Sequence, residues 1–422
     1  MNILIFSANY SSIYIGGHIS SMLTIGNELI KNKFNVIICL PETLGKNSGV
    51  KEVGEFFPIE NIIWIPKSKY FSDLINYKKY IYSIIKNYKI DIIHSFDLPS
   101  HIIARFCIEK FKYRVKALSN ICGGTIKYKY PYVSPIIVFS EELSDQIQKM
   151  YNYDAPEVIL ERSRMTPSFY LSGQVEGELN LNLKKKIGNK KVIFMVTRMS
   201  FVKIIAIDLA LDSIKKLAQK REDFLFILIG RINRKTIYKY VKKKVDLINN
   251  KSGRQVVLFD NNLSKMTRKI FSISDIVMGV GKVCFEGMLN KKPVIVLGGN
   301  GCSGVVDIES QEKFQQMVYT NFSSRDVNDT SKQIEKIIFN IELLLNNKRT
   351  RERLGLNNFE WVNNNLDIKQ GIDIYISTYN RIQKMEYQKL LPVRFAYYGI
   401  LIMLLGRVKG LIRELYLNIK FW

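Results

Sequence analysis

The sequence predicts an α/β protein: two doubly wound domains in tandem, followed by a C-terminal helical extension. Three observations predict it. Short apolar runs alternate with helix-length amphipathic stretches along most of the chain. A segment rich in Gly, Asn and Lys, residues 167–190, interrupts the alternation once. And 422 residues are too many for one ordinary core, but suit two domains of about 150–200 residues each. The boundaries read as 1–166, a linker at 167–190, a second domain at 191–360 and helices over 361–422.

In the first half, residues 3–8, 35–40, 62–65, 91–94, 115–119 and 136–139 read as strands. Helical patterns fall at 18–31, 70–88 and 141–151. Apolar strands separated by helices of this length imply parallel βαβ units, with helices covering both sheet faces. The second half repeats the alternation. Strands are expected at 192–196, 224–229, 256–259, 275–278 and 293–297. Helices are expected at 204–219, 236–249, 264–272 and 283–289, and the chain past Asp326 reads as helical. Doubly wound sheets bind ligands at the carboxyl ends of their strands, so both halves would carry sites at that edge.

Lys and Arg number 63 against 38 Asp and Glu, a formal net charge of +25. Such an excess favours an anionic partner: a phosphorylated substrate, an anionic lipid surface or nucleic acid. No nucleic-acid-binding motif is present, although aromatic and basic residues interleave at Tyr238-Lys239-Tyr240 and Lys244. The five cysteines are scattered and never spaced C-x-x-C, which argues against a disulfide framework or zinc site and for a reducing compartment. The N-terminus lacks the basic region and cleavage site of a signal peptide. No apolar run reaches the roughly 18 residues of a transmembrane helix.

The sharpest local feature is Thr197-Arg198-Met199-Ser200-Phe201-Val202-Lys203, where a strand gives way to a helix. A helix N-terminus attracts anions through free N–H groups and its positive dipole end. Arg198 and Lys203 add two cations there, suited to a diphosphate; solvated surface charges would give the same spacing. Gly279-Val280-Gly281-Lys282 forms a second small-residue loop at a helix start, able to cradle a phosphate. Glu286 follows inside an otherwise apolar helix opening. A carboxylate there needs partners: a sugar or ribose diol, or a local Lys or Arg. Gly230, at a strand end, is counted among the small residues of the same binding region.

The order Arg198, Lys203, then Gly281-Lys282-Val283-Cys284-Phe285-Glu286-Gly287-Met288, then Lys292-Pro293-Val294-Ile295 resembles glycosyltransferase family 4, the large retaining group with the GT-B fold. The resemblance implies two Rossmann-like domains facing a central cleft. It implies that Arg198 and Lys203 hold a donor diphosphate and that Glu286, matching the second Glu of the E-x7-E motif, binds the donor ribose. The first Glu of that motif would fall at Met278. The loop ending in Lys282 is similar to a subset of the family in which a small-residue loop ending in Arg or Lys replaces that Glu. Gly298-Gly299-Asn300-Gly301 and Asn321-Phe322-Ser323-Ser324-Arg325 also resemble that subset.

Gly16-Gly17 opens a helix after the first strand, and the resemblance puts such a pair at the acceptor side of the cleft. His94 ends a strand, at the edge where ligands bind; a structural His would sit there equally well. The family's further His is replaced by Asn120-Ile121-Cys122, so no general base is named. Ser140 reads as a helix cap. The expected activity is retaining sugar transfer from a nucleotide-diphosphate sugar to a glycan or lipid-linked acceptor, in surface polysaccharide synthesis, with no metal or other cofactor. A non-catalytic nucleotide-sugar or glycan binder and a GT-B sugar-nucleotide epimerase are the alternatives.

In residues 393–422, Val408, Leu411, Ile412, Leu415, Ile419 and Trp422 share one helical face. This pattern fits an interfacial helix in the headgroup layer, or a helix packed on the N-terminal domain or a partner subunit. With the positive charge, it points to a cytoplasmic protein peripheral to the inner face of the cell membrane, with an anionic membrane surface and not nucleic acid as partner.

Overall fold

The computed structural model describes residues 1–8, 17–42, 53–54, 57–66, 72–112, 114–123, 133–151, 156–168, 181–232, 234–260, 263, 267–308, 329–388, 390 and 401. The chain divides into two compact units. The first holds Met1–Thr166 together with the described residues from Leu366 onward; the second holds the described residues of 167–365.

The described residues of the first unit form seven parallel strands: β1 (Asn2–Phe6), β2 (Asn35–Pro41), β3 (Ile62–Ile65), β4 (Ile92–Ser95), β5 (Lys116–Ile121), β6 (Ile136–Val138) and β7 (Val158–Leu160). Their order is β3-β2-β1-β4-β5-β6-β7, so the winding reverses between β1 and β4. Every residue of β4 and β5 is buried, as a sheet covered on both faces requires. On one face Leu4, Phe6 and Ile93 pack with Ile81 and Ile84 of α2 (Ser72–Asn87) and with Ile103 and Cys107 of α3 (Leu98–Lys110). Helix α3 opens with a capping box: Asp97 accepts from the Ser100 N–H, and Ser100 accepts in return from the Asp97 N–H.

Helix α1 (Gly17–Lys31) packs against a helix from the far end of the sequence, Ile368–Lys384. That helix buries Ile368, Gly371, Ile372, Tyr375, Thr378, Tyr379 and Ile382, one stripe at helical spacing. The backbone ties it in: Arg164 and Met165 donate to the Leu366 carbonyl, and Ile368 donates to that of Met165. Gln388 then behaves as a surrogate strand residue. Its side-chain carbonyl accepts from the Ala117 N–H at 2.8 Å and its amide donates to the Ala117 and Ser134 carbonyls. The described helix that begins within the predicted C-terminal extension, 361–422, therefore belongs to the first unit. Helix α4 (Glu141–Tyr151) follows β6, and the Ser140 hydroxyl accepts from the Leu143 N–H at 3.4 Å.

The described residues of the second unit form six strands: β8 (Lys191–Met199), β9 (Phe224–Ile232), β10 (Val257–Phe259), β11 (Ile276–Gly279), β12 (Val294–Gly298) and β13 (Gly301–Val305), in the order β10-β9-β8-β11-β12-β13. Only β13 is antiparallel. The winding reverses between β8 and β11, and the strands' apolar side chains form one continuous core. Residues 167–190 do not form linker alone. They contain α5 (Leu181–Ile187), anchored by buried Leu183. Helices α6 (Ile204–Leu217), α7 (Lys235–Ser252), α8 (Thr267–Ile273), α9 (Lys282–Leu289), α10 (Thr330–Asn346) and α11 (Lys348–Leu366) complete the unit; the helix Ile368–Lys384 of the first unit is α12. Gly287 lets α9 lie close on the sheet, since a Cβ there would stand 3.0 Å from Val277 and 3.1 Å from Val294. The amphipathic pattern at 402–422 lies outside the described residues. Among the described residues no helix is long and apolar enough to cross a membrane.

Candidate functional site

The strongest site grows out of the switch point of the second unit, where β8 and β11 lie side by side. Their carboxyl ends deliver two of the loops singled out in the sequence. Burial alternates at the end of β8: Arg198 is exposed and Met199 is fully buried. Ser200–Lys203 then makes a tight turn, with the Lys203 N–H donating to the Ser200 carbonyl at 3.0 Å. Lys203 occupies the N-cap of α6 and offers no capping oxygen. The N–H groups of the first turn are left without a side-chain cap, and a cation stands where Ser or Asp usually would.

Gly281 caps α9 with φ 65° and ψ −130°, a conformation that favours glycine, and again no side chain caps the helix. By contrast α3, α10 and α12 each open on an aspartate that accepts from the first turn. The helices after β8 and β11 thus begin as open anion-binding ends with basic residues beside them.

Packing brings the loops together. A Cβ on Gly299, in the turn between β12 and β13, would stand 3.0 Å from the Val202 carbonyl, so that hairpin rests on the β8–α6 loop. The loop after β9 ties back through the Arg234 N–H, which donates to the Met199 carbonyl at 3.1 Å. The Arg234 guanidinium lies 5.9 Å from the centre of the Phe201 ring. The sequence pattern alone did not single out Arg234; its signal is a basic residue at the strand-to-helix junction after β9, the same arrangement as Lys203 after β8.

Lys203 is half-buried. Burial, and then the charge of Arg198, hold its amine down to about 8, while Cys284 of α9 pulls the other way. Lys203 therefore senses both the end of β8 and the first turn of α9. Lys282 and Glu286 sit one turn apart on α9, on one face of the helix, both half-buried. Among the described residues Arg198 has no ion-pair partner.

The glycines divide by role. A Cβ on Gly279 would stand 2.6 Å from Val283, so its absence lets α9 turn back tightly after β11. A Cβ on Gly230 would overlap the Met199 side chain. Gly230 makes room for core packing, which corrects its assignment to the binding site. Met278 is fully buried in β11, paired with Met195 and Ile295. Eight residues before Glu286 this chain is still inside the sheet, with an apolar side chain facing the core. Gly298-Gly299-Asn300-Gly301 is the β12–β13 turn; Asn321–Arg325 lies outside the described residues.

In the first unit Gly16 lies outside the described residues, and Gly17 is the first residue of α1. His94 is fully buried, which corrects its reading as an acceptor contact. Its Nδ1 shares a 2.8 Å hydrogen bond with the Tyr379 hydroxyl of α12, and its ring packs 4.4 Å from that of Phe96. Burial drives its pKa down to about 3, so it stays neutral. It anchors α12 to the sheet. Among the described residues no cluster of His, Cys, Asp or Glu could hold a metal ion.

No family model and no curated protein matches the chain. Solved structures do match. A glycosyltransferase from Rickettsia africae is 17% identical over 91% of this chain and 98% of its own, with a TM-score of 0.62. Sucrose-phosphate synthase from Thermosynechococcus elongatus is 13% identical over 90% and 99%, with a TM-score of 0.64. A UDP-GlcNAc 2-epimerase from Neisseria meningitidis is 14% identical over 90% and 100%, with a TM-score of 0.55. With its two parallel-dominant Rossmann-like sheets, the chain has the GT-B α/β fold.

If an anionic ligand binds beside Lys203, it favours the charged amine and raises its pKa above the free value. Binding then takes up a proton at pH above about 8, and affinity falls as pH rises through that range, by up to about tenfold per unit. Below it Lys203 is already charged and affinity is flat. Titrating UDP by calorimetry between about pH 7 and 9 is expected to show this bend. Lys203→Met is expected to remove it; a bend that survives would place the titrating group elsewhere.

Proposed function

We propose that the chain is a glycosyltransferase of the family 4 kind, taking a sugar from a nucleotide-diphosphate donor. One observation carries this reading: two uncapped helix N-termini, opened at Lys203 and Lys282, follow the adjacent strands β8 and β11 at the switch point of one Rossmann-like sheet, with Arg198 at the end of β8. That arrangement suits a pyrophosphate. Glu286, one turn beyond Lys282, would accept from the donor ribose. The cations would neutralise charge as the sugar–phosphate bond breaks, an electrostatic contribution that needs no metal. In retaining transfer by front-face attack, the leaving phosphate accepts the acceptor's proton, which suits a chain whose strand-end His94 is buried and neutral. UDP-sugars are the first donors to test, because solved neighbours are described as bound to UDP-GlcNAc and to UDP-2-fluoro glucose.

The acceptor in this reading is a glycan or lipid-linked glycan of surface polysaccharide synthesis, met at the inner face of a bacterial-type cell membrane. It rests on the family resemblance and the net charge of +25. The test is a panel of nucleotide sugars with candidate acceptors: transfer with release of nucleoside diphosphate supports it. Nucleotide binding without turnover favours the pseudo-glycosyltransferase. A sugar epimerised without acceptor favours the epimerase, a reading that the structural likeness to UDP-GlcNAc 2-epimerases keeps in view.

A further inference from the structure

The positive charge is not spread evenly. Residues 184–254 hold 20 Lys and Arg against five Asp and Glu, and α7 is the most basic element among them. It carries six lysines and one acidic residue, Asp246. Its apolar stripe, Ile237, Val241, Val245 and Ile248, is buried against the core. Lys244 is used internally: its amine lies 2.8 Å from Asp208 and 3.0 Å from Asp212, both on α6. Lys235, Lys239, Lys242 and Lys243 are different. All four are exposed, and their spacing puts them on one face opposite the stripe. Among the described residues none of them makes an ion pair. Leu247, 51% exposed, stands one turn beyond Lys243.

Four unpaired lysines held in a row repel one another, which is tolerated more readily where an anionic surface completes the charge. The aromatic residues between them decide which surface. The Tyr240 hydroxyl donates to Asp208 at 2.8 Å, and the Tyr238 ring packs 5.1 Å from that of Phe259. Both rings turn inward, so the lysine face offers no stacking platform of the kind single-stranded nucleic acid uses. A face of four ammonium groups, with one exposed carboxylate at its end (Asp246) and aliphatic Leu247 beside it, carries a net positive charge that matches a layer of lipid phosphates.

We propose that the exposed face of α7 docks the protein on an anionic lipid bilayer through Lys235, Lys239, Lys242 and Lys243. This rests on the membrane association proposed above and names the surface that makes it. Lys235 stands next to Arg234 at the candidate site, whereas Lys239, Lys242 and Lys243 lie one to two turns further along α7, so those three separate docking from nucleotide binding.

The experiment is co-sedimentation of the full chain with phosphatidylcholine vesicles, with and without phosphatidylglycerol. Binding is expected only with the anionic lipid and is expected to weaken with salt. Replacing all four lysines by Glu is expected to lower the partition coefficient by on the order of a thousandfold or more. The Lys→Gln set, which adds no repulsion along α7, is the second variant and is expected to lose about fivefold per lysine. Reversing Lys184, Lys185 and Lys186 of α5 is the matched control and is expected to matter much less. Undiminished vesicle binding by the folded α7 variants, or an equal loss in the control, overturns the proposal. So does wild-type protein that ignores anionic vesicles but binds an oligonucleotide through these lysines. UDP affinity, measured on a variant with only Lys239, Lys242 and Lys243 replaced, is expected to be unchanged; its absence in wild type would count against the donor site, not against docking.

Discussion

Replacing Arg198 by Ala is expected to lower kcat/KM for sugar transfer by about 10²–10³, the usual cost of removing one preorganised donor from a charge-stabilising site. The argument is local. Arg198 is the last exposed side chain of β8, beside a helix end that offers bare N–H groups. As the sugar–phosphate bond breaks, negative charge builds on the departing diphosphate, and a guanidinium held there binds the transition state better than the ground state. The loss should therefore fall mainly on kcat. Lys203→Ala is expected to behave alike, and the double variant to lose less than the product of the two, because Arg198 depresses the Lys203 amine and the two sites are coupled. Arg198 is exposed and holds no ion pair among the described residues, so its removal should leave the melting temperature near wild type. Unchanged turnover in a folded Arg198→Ala protein would remove the catalytic assignment.

The second large effect concerns stability. Gly355 of α11 presses on the turn after α9: a Cβ there would overlap the Lys291 carbonyl. That neighbour is backbone, and Lys291 itself holds φ 56°. Neither can swing aside as a flexible side chain would. Gly355→Ala is expected to cost about 3 kcal/mol, the upper part of the range for overpacking. It should lower the melting temperature of the second unit by roughly 6–12 °C. It should also weaken UDP binding, because α11 supports the end of the helix that carries Lys282 and Glu286. Gly253 makes the contrast. It holds φ 62°, and a Cβ placed there would meet nothing within 4 Å, so Ala brings backbone strain alone, about 1–2 kcal/mol. Equal melting temperatures for the two variants would contradict the packing account.

The strands of both sheets from β1 to β6 and from β8 to β12 were legible because each is a short apolar run closed by a turn signal. Strand β13, Gly-Cys-Ser-Gly-Val, has almost no strand propensity. It exists because the edge of β12 and the amide of Gln333, whose side-chain oxygen accepts from the Cys302 N–H at 2.8 Å, hold it in place. Helix α5 hid behind three consecutive lysines, since Leu183 alone of its described side chains is buried. The strand-to-helix junctions that carry Arg198, Lys203 and Lys282 were legible because such a junction is a local pattern. His94 could not be judged that way. Whether it faces ligand or core depends on α12, which reaches it from 285 residues further along the chain. The small residues misled for a related reason: the lack of a side chain at Gly230 reads as room for a ligand, and the space belongs to Met199.

The most direct measurement is a crystal structure of the chain with UDP. The account predicts the pyrophosphate between the first turns of α6 and α9, within hydrogen-bond reach of Arg198 and Lys203, with the ribose at Glu286. A nucleotide bound elsewhere, with those side chains out of its reach, would contradict it.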